Sequence, residues 1–516
     1  MKISFTLILL IFFMRLDAQP TAILWQHTIG CGSEYLNDCL IDKEGNYVMA
    51  GQGFTACSYT DSVAYGYGDG WVAKVDSSGK KLWSHLFGGT KADKLLKIRA
   101  TMDGGYIAVG WSNSDLDVKN KGDNDWWIVK LDKNGAMEWQ RDYGSSKFDQ
   151  AWAVAPTGDS GYLVTGIVMA GDSDVSTFIG LADLWLIKLD SKGRIMWQKT
   201  YGSTKSDYAS DIEKTTDGNY IITGMAGAAD HDISYLHGSS DVWVLKINGD
   251  GHILWSKTYG GSTYQQGDCI VQTKDGGYMV GAMTTSDDGE VTKNYGKEDM
   301  WAIKIDDTGR LQWQKSYGGS DRELQLASVT ESMEGGYLFT GPSASNDFDA
   351  IGNHNMAPYA DMLVIKADDT GAVEWSHMYG GTSGDAPVDA YQLKDSSYVV
   401  GGTTNSTDGD VKHASPTSNA WIIDIGKVKS TGTNNVQRTK GISVYPTITN
   451  DIVNVQLNNS KVRALGVMDI RGMPVRAGVE RNAKGYAVHL QGQPSGMYFL
   501  KIETEAGMSV YKVVMQ

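Results

Sequence analysis

The chain has 516 residues and a formal net charge of −15; 10% of it is aromatic, 62 residues are glycine and only 9 are proline. That length exceeds one ordinary compact domain unless the chain repeats itself, and the composition excludes a disordered or collagen-like chain. The interspersed acidic excess argues against nucleic acid and against adsorption to anionic lipid, both of which need a basic face.

The N-terminus reads MKISFTLILLIFFMRLDAQP. One lysine, an apolar run over 3–14 and a small residue, Ala18, before Gln19 form the pattern of a secretory signal peptide, expected over 1–18. The run is too short to span a bilayer, and no later segment is long and apolar enough to do so. Four cysteines follow, Cys31, Cys39, Cys57 and Cys269. Export makes a disulfide chemically accessible, and the three in the first repeat allow one local bridge. Their spacing matches no zinc pattern. Cys39 and Cys269 each follow an Asp at the start of an expected inner strand and read as small buried apolar residues.

Residues 20–426 repeat themselves. One tryptophan recurs at Trp25, Trp83, Trp139, Trp197, Trp255, Trp313 and Trp375, with gaps of 58, 56, 58, 58, 58 and 62 residues. A second anchor recurs at Trp71, Trp127, Trp185, Trp243, Trp301, Leu363 and Trp421, and a Gly-Tyr-type turn ends in Tyr47, Tyr106, Tyr162, Tyr220, Tyr278, Tyr337 and Tyr398. Within one unit four short β-branched or aromatic runs, 210–214, 220–225, 242–247 and 253–259, are bounded by Gly, Asp or Asn. Four antiparallel strands make a propeller blade. The middle two runs are apolar on both faces, as a sheet packed between two neighbours requires. The first unit opens in its last strand, ILWQHTIG, and the final one stops after its third, WIIDI. The expected fold is therefore all-β: a seven-bladed propeller whose last blade is completed by the N-terminal strand, which removes two exposed sheet edges. The recurring tryptophans are read as wedges between blades, each worth roughly 1.5–3 kcal/mol of burial.

A polar stretch at 427–441 reads as a linker, and 442–516 as a small C-terminal β-sandwich of short strands with Gly and Pro turns. Tyr445-Pro446 with Asn450-Asp451, the segment 467–472, the turn Pro494-Ser495-Gly496-Met497-Tyr498 and the closing Tyr511-Lys512-Val513-Val514 resemble the C-terminal sorting domain of the type IX secretion system of Bacteroidetes-type bacteria. Ile448 stands where that family usually carries a second proline. The resemblance implies engagement of the type IX machinery and export through the outer membrane. The tail would then be removed and the cargo released or attached to the cell surface. The repeat region, with its DGGY turns, D-x-W-x-x-K strand and G-x-x-x-W strand, resembles the uncharacterised propellers that often precede such tails. It also resembles, faintly, the tryptophan propellers of quinoproteins, whose quinone-binding residues have no counterpart here.

Strand alternation puts every long loop on one rim, the usual ligand face of propellers by analogy. Residues present in every blade read as structural; those that break the repeat are the functional candidates. The candidates for ligand contact are Tyr65, Tyr67, Trp111, Trp126, His231, Tyr235, His237, Tyr264, His354 and Tyr359, with Phe54 and Tyr59 in the same first-blade loop. Aromatic faces and acidic acceptors on one rim suit sugar rings. Acidic pairs recur at Asp115/Asp117, Asp172/Asp174, Asp230/Asp232, Asp288/Glu290, Asp347/Asp349 and Asp408/Asp410. Calcium is the one cofactor they would suit, best in blade 2, where Asp123 and Asp125 follow. Backbone capping in Asx turns is the favoured reading, and no metal is assigned. The leading expectation is a secreted or surface-displayed propeller that binds an extracellular partner, foremost a glycan, without catalysis. A polysaccharide lyase or glycoside hydrolase on the same scaffold is the alternative, and a protein-interaction scaffold a third. Replacing His231 and His237 by Ala is expected to leave the fold intact.

Overall fold

A computed structural model describes residues 22–426 except 31, 55–59, 63, 117–119, 355–358, 413 and 416, and strands with a few adjoining residues between 442 and 515. The segments expected as signal peptide and linker, 1–18 and 427–441, and Cys31, Cys57, Tyr59 and Asp117 lie outside the described residues. The chain divides into two compact units, 1–427 and 428–516.

The first unit holds seven four-stranded antiparallel sheets. In blade 4 the strands are Tyr208–Lys214, Tyr220–Ala226, Asp241–Ile247 and Ile253–Tyr259, paired in chain order. Blades 1 to 6 are continuous. Blade 7 pairs Asp385–Gln392, Tyr398–Thr404 and Asn419–Gly426 with the N-terminal strand Ala22–Ile29, as the truncated end repeats require. The first strand of each blade touches the first strands of its neighbours, so these seven strands line the axis. No sheet closes on itself; the ring closes by packing. Between blades 7 and 1, Leu36 N–H donates to Thr403 Oγ1 at 2.9 Å and Tyr391 O–H to the Cys39 carbonyl at 2.7 Å.

The hydrophobic cores sit between blades. One unites Leu163, Leu184 and Leu186 of blade 3 with Ile222, Trp243 and Leu245 of blade 4. Both tryptophan rows are wedges. In the third strands, Trp71, Trp127, Trp185, Trp243, Trp301 and Trp421 are fully buried, with Leu363 filling the same place in blade 6. Each of these indoles donates to the last strand of its own blade, as Trp243 does to Ser256 Oγ at 2.9 Å and Trp421 to Gln26 Oε1 at 3.2 Å. The last-strand row packs onto the next blade: Trp83 lies 6.0 Å from Tyr106, Trp255 6.2 Å from Tyr278, and Trp25 of the closing strand 5.6 Å from Tyr47 of blade 1. A tight turn of that next blade covers the same indole. Gly251, at φ +72°, brings its backbone so near Trp197 that a Cβ there would lie 2.8 Å from the ring.

Six of the seven first strands carry one departure from regularity, a β-bulge such as that between Ala209 and Asp211, while the short first strand of blade 6, Ser328–Glu331, pairs without one. The bulge breaks the period-two alternation. That is why the sequence pattern opens the strand at 210 while the structure opens it at Tyr208. The displaced residues are the ones at the long-loop end of the channel.

The second unit is a two-sheet sandwich. One sheet orders Ile442–Tyr445, Ile452–Leu457, Gly485–His489 and Gly478–Asn482; the other is built around Gly496–Thr504, flanked by Gly507–Met515 and Val462–Met468. Val453, Val455 and Val488 of the first sheet and Val467, Leu500 and Ile502 of the second form its core.

Candidate functional site

Second-to-third-strand loops and blade-to-blade crossovers share one rim, and acids fasten the two together. Asp172 accepts from Ser146 N–H at 2.6 Å, Asp230 from Thr204 at 2.8 Å, Asp288 from Ser262, Asp347 from Ser320 and Asp408 from Thr382, the last three at 2.7 Å. The second acid of the pair reaches the crossover glycine: Asp174 to Gly144, Asp232 to Gly202 and Glu290 to Gly260, each at 3.1 Å. These acids thus cap backbone N–H groups of the preceding crossover, whereas Asp115 of blade 2 accepts from Asn120 N–H of its own loop at 3.0 Å. The residue between them is left-handed in every described pair: Ser173, His231, Gly289, Phe348 and Gly409. Among the described residues no cluster of three or more His, Cys, Asp or Glu is arranged to hold a metal ion.

This scaffold sorts the candidate residues. Tyr65, Tyr67, Tyr235 and Tyr359 are exposed on the rim, Tyr67 at 82%. His231 is exposed, at φ +48°. Tyr264 sits where the crossover enters the channel, its hydroxyl 2.6 Å from Gln266 Oε1 and 3.3 Å from the Tyr208 hydroxyl. Trp111 is half-buried. Trp126 corrects the expectation of a rim aromatic: it is fully buried, its N–H donates to the Ile167 carbonyl at 2.9 Å, and its ring packs tilted against Trp185, 4.6 Å away. Next to the acidic loop it is nonetheless an apolar cross-strand partner of Trp111 and packs against blade 3.

His237 and His354 each bridge their own blade to the next. His237 Nδ1 lies 2.6 Å from the buried Asp241 carboxylate and its Nε2 3.9 Å from Glu290 of the next blade. His354 repeats this with Asp361 at 2.8 Å and Asp410 at 3.8 Å. In blade 2 the role falls to Lys121, between Asp125 and Asp174. Every exposed aromatic side chain among the described propeller residues, Tyr35, Phe54, Tyr65, Tyr67, Tyr235, Phe348 and Tyr359, lies on this rim or at its end of a strand. Among the described residues the opposite rim exposes methionines, Met102 and Met333, and the imidazole of His252, but no Phe, Tyr or Trp ring.

The channel holds residues that the sequence reading passed over. A cavity of about 560 Å³ is lined by first-strand residues of six blades, among them Lys97, Arg99, Asp211, Glu213, Asp389 and Tyr391. Arg99 pairs with Asp38 at 2.9 Å, and Lys97 approaches the same carboxylate at 3.5 Å. The acids bridge neighbouring strands: Asp38 accepts from Ile98 N–H, Glu213 from Gln272 N–H and Asp268 from Leu326 N–H. Burial pushes Glu213 and Asp268 up to about 7. Asp268 continues through Gln266, at 2.8 Å, to Tyr264 at the mouth. One signal could have found this set: past the acid or amide that opens them, the first strands vary from blade to blade, so the cations Lys97 and Arg99 break the repeat. Cys39 and Cys269, on two of these strands, are buried free thiols.

Two comparisons with known proteins bear on these units. Residues 443–516 match the family described as the secretion system C-terminal sorting domain, so the second unit is a type IX sorting tail. It directs the protein to the cell surface or out of the cell. No helix among the described residues is long and apolar enough to cross a membrane. Among curated proteins none matches the chain. Solved structures similar to it include the Pan2 WD40 domain of Neurospora crassa, at 9% identity and TM-score 0.41, covering 79% of this chain and 96% of that one. A catalytically inactive virginiamycin B lyase from Staphylococcus aureus shows 8% identity and TM-score 0.41, covering 77% and 99%. The extracellular domains of Drosophila semaphorin 1b show 8% identity and TM-score 0.40, covering 79% and 87%. With scores this low, the propeller assignment rests on the strand pairing and blade packing above.

Proposed function

We propose that the exported propeller binds an extracellular glycan across its long-loop rim. The observation that carries this reading is the one-sided distribution of exposed rings, which are confined to the rim where backbone groups are already satisfied by acids. Tyr67, Tyr235 and Tyr359 keep apolar faces in water beside hydroxyl and carboxylate acceptors, the pairing that sugar C–H faces and hydroxyl edges call for. Glycan-array binding of the full chain tests it. Retention of a defined set of glycans supports the reading, whereas a blank array with capture of a protein partner favours an interaction scaffold.

One observation favours a polysaccharide-cleaving reading as the second choice. Asp268, a carboxyl raised to about 7 by burial, is connected by hydrogen bonds to Tyr264 at the mouth, and a carboxyl so raised suits a general acid. New reducing or unsaturated ends after incubation with a bound polysaccharide would establish it.

A further inference from the structure

At the long-loop end of each blade, residues in register across the first three strands form a row on one face. The row is Tyr208, Met225 and Val242 in blade 4, and Gln266, Met283 and Met300 in blade 5. In blade 7 it is Ala386, Thr403 and Ala420. In blade 2 it is Lys94, Trp111 and Trp126. Trp126 shows which way this row faces, because its indole bonds to Ile167 and packs on Trp185, both of blade 3. Lys94 and Trp111 therefore stand on the face of blade 2 turned toward blade 3, at the long-loop end of the seam between the two blades. Both are half-buried.

Neither polar group is used by the fold. Among the described residues the Lys94 ammonium makes no ion pair or hydrogen bond, and burial alone holds it below the usual lysine range. The Trp111 N–H likewise makes no hydrogen bond among the described residues, whereas that of Trp126 does. The neighbouring carboxylate, Asp93, is occupied by Gly89 N–H at 2.7 Å, Ser114 Oγ at 2.9 Å and Ser112 Oγ. Elsewhere on the rim, cations are either paired, as Lys121 with Asp174 at 2.9 Å, Lys297 with Asp321 at 2.8 Å and Arg322 with Glu298 at 3.2 Å, or exposed to water, as Lys91, Lys147, Lys205 and Lys293. A half-buried ammonium without a counter-ion costs solvation, and in a chain of net charge −15 carboxylates were available to pair it.

We propose that the crevice between blades 2 and 3 binds the anionic group of an acidic sugar, with Lys94 pairing its carboxylate or sulfate and Trp111 stacking on its ring. This deepens the glycan reading and rests on it. A planar indole and an ammonium on adjacent strands match the apolar face and the charged substituent of one residue of such a sugar.

Affinity electrophoresis of the full chain in gels containing oligogalacturonate, dextran sulfate or neutral dextran tests it. The expected result is retardation by one or both acidic probes, and which one distinguishes carboxylate from sulfate. Lys94→Gln should weaken that binding about tenfold, Lys94→Arg should largely preserve it, and Trp111→Ala should weaken it too. Thermal melting of Lys94→Gln should be unchanged or raised, since no partner is lost; a marked fall would show that Lys94 is part of the fold and overturn the proposal. Acidic-probe binding that survives Lys94→Gln, or binding of neutral dextran alone, overturns the proposal and leaves the glycan reading standing. Failure of all three probes together with a blank glycan array overturns both.

Discussion

Asp299 and Glu323 flank the backbone of Gly318, both buried, and Asp299 Oδ1 finds no hydrogen-bond donor. The same arrangement recurs about Gly88 with Asp69 and Asp93, Gly144 with Asp125 and Asp149, Gly202 with Asp183 and Asp207, and Gly380 with Asp361 and Asp385. About Gly260 the partner of Asp241 is Gln265, and in blade 7 Asn419 opens the third strand in place of Asp. An amide replaces one carboxylic acid at the least cost when that acid is protonated. Burial accordingly pushes Asp299 up to about 7 and Asp149, Asp183 and Asp361 up to about 6, and raises Glu323 as well.

Stability should therefore fall as pH rises from about 4 to 7. Through that window the folded ring holds protons on these carboxyls that the unfolded chain has released, so deprotonation favours unfolding. Acids held low set the opposite limb. Burial would raise Asp103, but its bonds to Lys130 and Thr101 outweigh this and hold it at about 2, so its contribution is present above pH 4 and lost toward pH 2. Denaturant unfolding should show maximal stability near pH 4–5. Glu323→Gln should add about 1–2 kcal/mol at pH 8 and little at pH 5. A midpoint that is flat between pH 5 and 8, in wild type and variant alike, would remove the shared protons from the account.

The tryptophan rows predict a graded series. Trp243→Ala leaves a cavity between blades 3 and 4 and removes the indole N–H donor of Ser256 Oγ, and should cost about 3–5 kcal/mol. Trp243→Leu should cost less, because Leu363 already fills the equivalent place in blade 6 without exposure. Equal losses in urea unfolding would mean that volume is not what this position supplies.

The number of blades, the closing strand and both wedge rows were legible because bulky residues recur at fixed spacing, so one pattern is read seven times. The channel and its mouth were not. Past the acid or amide that opens them, first strands pack around the axis on different neighbours and share little, and the bulge after Ala209 hides their first residues from a period-two search. DKLLKIRA in blade 2, with Lys94, Lys97 and Arg99, was visible as a run of cations; what pairs Lys97 and Arg99 is Asp38, 59 residues before Lys97. Trp126 was misplaced because its sequence neighbours are loop acids, while its side chain is turned into the next blade.

The two histidines of blade 4 should separate. His237→Ala leaves the buried Asp241 carboxylate short of a donor and should cost about 1–3 kcal/mol. His231 occupies a left-handed position where Gly289 and Gly409 stand in other blades, so His231→Gly should stabilise by up to about 1 kcal/mol. This replaces the expectation that both histidines are dispensable to the fold. Identical melting shifts for the two variants would contradict it.

The exposed rim tyrosines should matter to binding and not to folding. Tyr67, Tyr235 and Tyr359 are exposed at 82%, 59% and 56%, so truncating each to Ala should leave unfolding free energy within about 0.5 kcal/mol of wild type. Each lost ring should weaken glycan retention by about 0.5–1.5 kcal/mol, roughly two- to tenfold, if sugars stack there. Tyr235 is the most informative of the three. Its ring lies edge-on to His237 at 4.7 Å and is thereby fixed in orientation, so it should lose more affinity on truncation than the freer Tyr67. Array profiles that do not change when all three are truncated together would move the ligand site off this rim.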